Sequence, residues 1–321
     1  MIWQWSLWFV VGAVVGSFLN VCIYRLPREE SIVRPRSHCP GCRHPIAWFD
    51  NIPIVSYFVL GRRCRHCHHP IHWRYPVVEA ASGLLTIAVL QRFGVNPVGI
   101  VYLIFIWGLL VSSFVDLEHQ IIPDEISVGG LVVGLLISPL VPQLHGTTHA
   151  LIALKHSFIG ALVGGGSLYA TGLFGSLIFR KEAMGGGDVK LLAMAGSILG
   201  WKLVVVAFFL APLLAIVPGL AVLLVNRSHV IPYGPFLSLA LVLSLFYGSD
   251  IIHLSGVGES LQILWPSLPA LSSSDSLALS RRGSGQRPVD DRGVAAIRRE
   301  SGRGRLSRLH LGFARFELRG S

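Results

Sequence analysis

Five carboxylates lie where strongly apolar segments of this chain begin or end, and a charge near membrane depth is costly enough to mark a candidate functional site. They are Asp116, Glu118, Asp124, Glu125 and Asp188. Two carboxylates a few ångströms apart cannot both ionise easily, so such a pair shares one proton. One member then acts as a base on a water while the other acts as an acid toward a carbonyl. A pair formed by Asp116 and Asp188 therefore predicts aspartyl-protease chemistry.

The residue types alone leave other assignments open. An acid at the start of a helix also serves as an N-cap, and Asp124, which follows Pro123, is equally well explained in that way. Glu118 and Asp124 both compete with Asp116 as the partner of Asp188. The glycines at 185–187 precede Asp188 and would let a substrate strand approach it closely.

Four of the five cysteines form two C-x-x-C pairs, Cys39 with Cys42 and Cys64 with Cys67, separated by 21 residues. Each pair can place two thiolates on one side of a tetrahedral Zn²⁺, so the spacing predicts a Cys₄ zinc site rather than disulfides. A closed shell of four protein ligands leaves no position for water, so we expect the zinc to be structural. Cys22 stands apart and is expected to be a packing residue. Six histidines in the same loop are alternative ligands: His38, His44, His66, His68, His69 and His72.

The elements that must hold these residues are membrane helices. Of the 321 residues 52% are hydrophobic and 14% are charged, and the mean hydropathy of +0.61 exceeds what the surface of a water-soluble domain tolerates. A membrane helix needs about 20 apolar residues. Eight segments approach that length: residues 3–24, 76–93, 97–115, 122–141, 154–179, 188–200, 203–225 and 234–254. The sequence therefore predicts an all-α polytopic membrane protein with about eight transmembrane helices, and we find no convincing internal repeat.

The polar segment 25–75 decides the predicted topology. It holds nine arginines against three acids, and the positive-inside rule places such a basic loop in the cytoplasm. Thiols stay reduced there and free to bind zinc. We interpret residues 1–24 as a first transmembrane helix that is retained, with the N-terminus outside. Counting spans from there puts Asp116 and Asp188 at the cytoplasmic side of a membrane core formed by residues 76–255.

The formal net charge of +10 invites a nucleic-acid function, but the distribution of the charge argues against one. Residues 281–321 hold eleven Arg against four acids, a local charge of +7, and the arginines of the loop already satisfy the positive-inside rule. Residues 256–321 have too few apolar side chains to form a core, so we expect a disordered basic tail. We therefore expect membrane lipid, and no nucleic acid, as a partner.

Glu79 is a further acid, just inside the second predicted span. It lies too deep to be a surface charge, and a buried carboxylate needs a partner. Arg74 and Lys190 are both candidates for that partner. The sequence does not decide between them.

Six ordered motifs resemble those of one known family. They are GSFLNVCIYRLP at 16–27, CPGC with NIPIVSYFVLGRRCRHC within 39–67, RYPVVEAASG at 74–83, DLEHQIIPD at 116–124, GGGDVKLLAMAG at 185–196 and PYGPFLSLA at 232–240. In order and spacing they look like the type IV prepilin peptidases, which are leader peptidases and N-methyltransferases of type IV pilus and type II secretion systems. The resemblance covers about residues 12–245 and ends near residue 255.

The resemblance implies a site and two activities. In such enzymes the first aspartate of D-x₆-P-D and the aspartate of G-x-G-D form the catalytic dyad, which selects Asp116 and Asp188 here. The family cleaves a short basic leader from prepilins or pseudopilins at the cytoplasmic side of the bacterial inner membrane. It then methylates the new N-terminal residue, usually Phe, with S-adenosylmethionine as donor. The full set of four cysteines is typical of the members with both activities. The resemblance assigns neither a methyl-transfer residue nor an oligomeric state.

Two rival classes remain at this stage. A transporter that uses intramembrane acids as proton relays would show pH-coupled flux, but this class does not explain the cytoplasmic C-x-x-C pairs. A membrane-anchored zinc ribbon that binds nucleic acid would need a basic, aromatic surface on residues 25–75.

Overall fold

Nine α-helices make up most of the part of the chain that the computed structural model describes, which is residues 2–180, 184–226 and 232–254. No β-strand is present in these ranges, so the prediction of an all-α fold is confirmed for them. The predicted disordered tail, 256–321, lies outside the described residues. The helices are α1 Ile2–Arg25, α2 Val55–Val59, α3 Arg74–Phe93, α4 Pro97–His119, α5 Asp124–Ile137, α6 Ala150–Phe179, α7 Gly186–Leu199, α8 Trp201–Asn226 and α9 Gly234–Leu254.

Eight of these helices coincide with the eight predicted spans, but six are long and apolar enough to cross a membrane by length and composition. They are α1, α3, α4, α6, α8 and α9. The helices α5 and α7 have 14 residues each, which gives them a length of about 21 Å against a hydrocarbon core of about 30 Å. The eight predicted helices are therefore present, whereas their crossing of the membrane as eight complete spans stays a prediction.

The short helix α7 lies in the centre of the bundle. Its side chains from Leu191 to Leu199 are buried apart from Ala193. It packs on α6 through backbone rather than side chains, because a Cβ added to Gly196 would lie 2.0 Å from the carbonyl oxygen of Gly160. Neighbouring helices thus enclose α7, which explains why it does not need the length of a lipid-facing span.

Two hydrophobic clusters hold the bundle together. The larger one joins α3, α4 and α9 with α7 and α8, and it includes the fully buried Leu191, Leu237 and Leu241. The smaller one joins α1 to α3 and α4, and Cys22 is one of its members, as predicted for a packing residue. Large apolar side chains also cover the outside of the bundle, including Leu151 and Phe174 on α6, which are 81% and 66% exposed. Such a surface is suited to lipid rather than to water.

The segment between α1 and α3 contains little regular structure. It includes the 3₁₀ turns Leu26–Arg28 and Trp48–Asn51 and the one-turn helix α2. Two isolated β-bridges, His38 with Pro45 and Arg63 with Pro70, close two tight loops within it. These loops carry the four cysteines of the predicted zinc site.

Candidate active site and metal centre

Asp116 lies in the last turn of α4 and is 7% exposed. Its Oδ2 accepts a hydrogen bond of 2.9 Å from the backbone N–H of Gly234. Gly234 is the first residue of α9, so this N–H is one of the donors that a helix leaves unpaired at its N-terminus. The positive end of the α9 dipole therefore faces the Asp116 carboxylate.

Asp188 lies in the first turn of α7 and is half-buried. Its Oδ1 is buried and has no hydrogen-bond partner within the described part of the chain. The carboxylates of Asp188 and Asp116 are close enough to interact electrostatically, and Tyr233 interacts with Asp188 in the same way. The ends of α4, α7 and α9 thus bring together the two aspartates that were predicted as a pair.

Gly234 is a site residue for which the sequence analysis gave no role. A Cβ at this position would lie 2.8 Å from Asp116 Oδ2, so any other residue would displace the carboxylate or the start of α9. A signal was available, since Gly234-Pro235 immediately before an apolar run is typical of a helix start. Which residue the start of this helix contacts depends on packing between segments that are distant in the sequence. The local pattern does not predict that contact.

The acids that competed with Asp116 are engaged elsewhere. Glu118 forms an ion pair with Arg74. Asp124 forms one with Lys190 at 2.7 Å, in which the two side chains are 63% and 46% exposed. This second pair links the segment after Asp116 to the GGGDVK segment. Both competing acids are therefore ion-pair partners of basic residues.

Glu79 has a partner that the sequence analysis did not consider. Its Oε2 accepts a hydrogen bond of 2.6 Å from the backbone N–H of Ile54, in the loop before α2. The two predicted candidates, Arg74 and Lys190, instead pair with Glu118 and Asp124. The expectation of a basic side chain as partner was therefore wrong, because a backbone donor from the cysteine-containing loop takes that place.

The four cysteine sulfurs converge on one point. The Sγ atoms of Cys39, Cys42, Cys64 and Cys67 all lie within 4.8 Å of one another, and those of Cys39 and Cys67 are 3.7 Å apart. Tetrahedral Zn²⁺ with Zn–S bonds of about 2.3 Å requires sulfurs about 3.8 Å apart. The observed spacing fits such an ion, so the cluster is able to bind zinc.

The two C-x-x-C loops are structural copies of each other, although the sequence analysis found no repeat. CPGCRHPI at 39–46 and CRHCHHPI at 64–71 match at five positions. The N–H of Arg43 donates to Cys39 O at 2.8 Å, and the N–H of His68 donates to Cys64 O at 3.0 Å. Arg43 and His68 also share a left-handed backbone, with φ of 56° and 55°. Each eight-residue unit therefore supplies half of the ligand set with the same geometry.

One thiol of the cluster is prepared for metal binding by its backbone surroundings. The N–H groups of Cys67 and His66 stabilise the thiolate form of Cys64 and lower its pKa to about 7. The thiolate, rather than the thiol, is the metal ligand. The backbone of the loop therefore favours the thiolate form of Cys64.

Fold and site together define a multi-pass membrane protein with two interacting aspartates at helix ends and a loop of four clustered cysteines that could bind a metal ion. Two family models match the chain. The bacterial peptidase A24 N-terminal domain matches residues 10–93, which include the four cysteines, and the type IV leader peptidase family matches residues 103–220, which include both aspartates. The chain belongs to the type IV leader peptidase family.

Curated relatives agree with this assignment. A protein from Myxococcus xanthus named prepilin leader peptidase/N-methyltransferase is 40% identical over 217 residues, which are 67% of this chain and 62% of the relative. Proteins of the same name from Aeromonas hydrophila and Pseudomonas aeruginosa are each 34% identical. Those two matches cover 77% and 75% of this chain and 91% and 90% of the relatives. No solved structure matches the chain.

Proposed function

We propose that this protein removes the leader peptide from prepilins or pseudopilins and then methylates the new N-terminus with S-adenosylmethionine. The single observation that supports the hydrolytic half is that Asp116 and Asp188, at the ends of two helices, are close enough to interact electrostatically. Family membership and the names of the relatives support both halves. The two family models match separate parts of the chain, the cysteine-containing part first and the part that holds the aspartates second. This arrangement suggests that the two activities belong to different parts of the protein.

The proposed hydrolysis uses the aspartates as one unit. The pair shares a proton, so the ionised member removes a proton from a water while the protonated member donates to the scissile carbonyl. The N–H of Gly234 orients the Asp116 carboxylate. The unpaired Oδ1 of Asp188 is the oxygen left to contact water or substrate. Attack of the water forms a tetrahedral intermediate, and return of the proton to the leaving amine completes the cleavage.

The proposed zinc would be held by Cys39, Cys42, Cys64 and Cys67 and would be structural. It would join the two copied loops, which have almost no hydrophobic core of their own: among the residues between α1 and α3, only Cys39 and Ser56 are buried. A bound ion with four thiolate ligands supplies folding energy in place of such a core.

We place the protein in the bacterial inner membrane with the zinc loop and the aspartate pair on the cytoplasmic side. The nine arginines of residues 25–75 support this orientation. In this scheme residues 1–24 are the first transmembrane helix, 25–75 the zinc loop and 76–255 the peptidase core. Prepilin or pseudopilin substrates and membrane lipid are the partners.

One assay tests both halves of the proposed function. Membranes containing the protein are incubated with a prepilin and S-adenosylmethionine carrying a labelled methyl group, and the products are weighed by mass spectrometry. We expect the substrate to lose the mass of its leader, and the mature product to gain one labelled methyl group at its N-terminus. A substrate that keeps its leader would contradict the peptidase assignment, and a cleaved product without label would contradict the methyltransferase assignment.

A further inference from the structure

A large cavity lies between the zinc loop and the membrane core. Its volume is about 1140 Å³, and its walls come from the loop, α3 and the end of α4. Pockets for drug-sized ligands have volumes of roughly 300–1,000 Å³, so this one has room for a small molecule together with the end of a peptide. Neither Asp116 nor Asp188 lines it, although Leu117 and Glu118 do. The cavity therefore begins beside the aspartate pair but is a separate site.

Glu79 contributes a buried carboxylate to this cavity. Its side chain belongs to α3 and is 7% exposed. The N–H that binds it comes from Ile54, whose backbone angles are φ 63° and ψ −51°. A positive φ is unfavourable for a β-branched residue, and such strain persists mainly at ligand-binding and catalytic sites. The loop thus adopts a costly conformation that directs a backbone donor at Glu79.

Within the described part of the chain, no basic side chain pairs with Glu79. Three acids line the cavity, of which Asp50 pairs with Arg65 and Glu118 pairs with Arg74. In the described part of the chain, the recorded partners of Glu79 are the backbone of Ile54 and the hydroxyl of Ser17. A buried carboxylate without a counter-ion favours a cationic ligand.

A second unsatisfied group lines the same cavity. Arg74 is 6% exposed, and its Nε is buried without a hydrogen-bond partner among the described residues. The ring side chains of Tyr57 and Trp73 also contribute to the walls. Aromatic faces attract cations and stack on planar heterocycles. The cavity therefore combines features that suit a zwitterionic, aromatic and cationic ligand.

We propose that this cavity is the methyl-transfer site and that Glu79 is the base that binds the substrate's N-terminal ammonium group and removes its proton. The proposal rests on the proposed function and assigns a residue to its second half. The ammonium group gives a proton to the Glu79 carboxylate and becomes a neutral amine. The amine lone pair attacks the methyl carbon of S-adenosylmethionine, and the C–S bond breaks with its electrons remaining on sulfur. The products are a neutral thioether, a methylated ammonium group and a protonated Glu79, which releases its proton to solvent.

The position of the cavity explains how one peptide end reaches both sites. Cleavage of the substrate at Asp116 would leave the substrate's new N-terminus next to the last turn of α4. Leu117 and Glu118 follow in that turn and line the cavity. The new ammonium group would therefore be released beside the cavity that contains the Glu79 carboxylate.

The test measures methyl transfer separately from cleavage by using a synthetic peptide that already has the mature N-terminus. Glu79→Gln keeps an oxygen that can accept from the Ile54 N–H but removes the base. We expect the rate of labelled methyl transfer near neutral pH to fall at least about 100-fold, since general base catalysis contributes roughly 10²–10⁴-fold. Leader cleavage of a prepilin by the same preparation should be unchanged.

The pH dependence distinguishes a base from a structural residue. In the variant, the peptide must lose its proton to solvent, so its rate should rise about tenfold per pH unit up to the α-amino pKa of roughly 8. The wild-type rate should stay nearly flat over that range. The other charged groups that face Glu79 across the cavity are Arg28, Asp50, Arg65, Arg74 and Glu118, together with histidines of the loop.

Glu30→Gln is the matched control, because Glu30 is an exposed acid of the same loop and does not line the cavity. It should leave both activities and the pH profile unchanged. Methyl transfer by Glu79→Gln with the wild-type rate and profile would overturn the proposal. So would loss of methyl transfer together with loss of the bound metal, because Glu79 would then merely hold the loop in place. Failure of the wild-type protein to cleave or methylate would instead contradict the proposed function.

Discussion

Replacement of Asp188 by Asn is expected to abolish leader cleavage while the protein still inserts into the membrane. An amide has the shape of the carboxylate but neither shares a proton with Asp116 nor donates one to a carbonyl. General acid–base groups contribute roughly 10²–10⁴-fold each and act here as one unit, so the rate should fall at least about 10³-fold. Asp116→Asn should have the same effect. The measurement is the initial rate of prepilin cleavage by purified protein in lipid vesicles, compared at equal amounts of inserted enzyme.

Asp124→Asn is the control for this experiment, because it changes a carboxylate of the same DLEHQIIPD segment. The Asp124–Lys190 pair is largely exposed on both sides, and exposed ion pairs contribute about 0–1 kcal/mol. The variant should therefore keep most of its activity. If Asp124→Asn were inactive and Asp116→Asn active, the assignment of the pair would be wrong.

Replacement of Cys64 by Ser is expected to release the metal and to abolish methyl transfer. Structural zinc supplies apparent binding energies of about 10–16 kcal/mol in small domains, and a three-cysteine shell loses much of that. Without the ion the two copied loops lose their link, and Ile54 no longer directs its N–H at Glu79. Metal analysis of the purified protein should fall from about one zinc per chain to near zero, and the loop should become sensitive to protease.

Cys22→Ser provides the comparison, since Cys22 is buried in α1 among apolar residues and is not one of the four clustered cysteines. It should retain the metal and methyl transfer. Leader cleavage should survive in Cys64→Ser, because Asp116 and Asp188 are held by α4, α7 and α9 rather than by the loop. Retention of zinc by Cys64→Ser would mean that the metal is not bound where the four sulfurs converge.

Local sequence patterns were sufficient for the helices and for the cluster of four cysteines. Apolar runs located the eight predicted helices, because side chains that face lipid and side chains that face the interior of the bundle are both apolar. The C-x-x-C spacing selected the four sulfurs that meet in space, since the loop between two such cysteines has few possible conformations. For the aspartates the residues alone left Glu118 and Asp124 in competition with Asp116. The family resemblance favoured Asp116, and the structure shows the two competitors in ion pairs with Arg74 and Lys190.

The features that the sequence did not reveal depend on contacts between distant segments. The N–H of Gly234 reaches Asp116 across 118 positions of the chain, and that of Ile54 reaches Glu79 across 25. A backbone N–H group is not specific to one residue type, so the sequence does not show which of these groups will donate to a carboxylate. The number of spans was uncertain for a related reason: α7 is apolar because other helices surround it, and composition cannot distinguish that environment from lipid.

The pH dependence of leader cleavage tests the proposed aspartate pair most directly. A pair that shares one proton is active when one carboxylate is ionised and the other protonated, so the rate should pass through a maximum and fall on both sides. The measurement is the initial rate of cleavage in lipid vesicles across the pH range in which the protein remains folded. We predict a bell-shaped profile for the wild-type protein. A rate that rises steadily with pH and reaches a plateau, without a descending limb, would contradict the shared proton and with it the roles of Asp116 and Asp188.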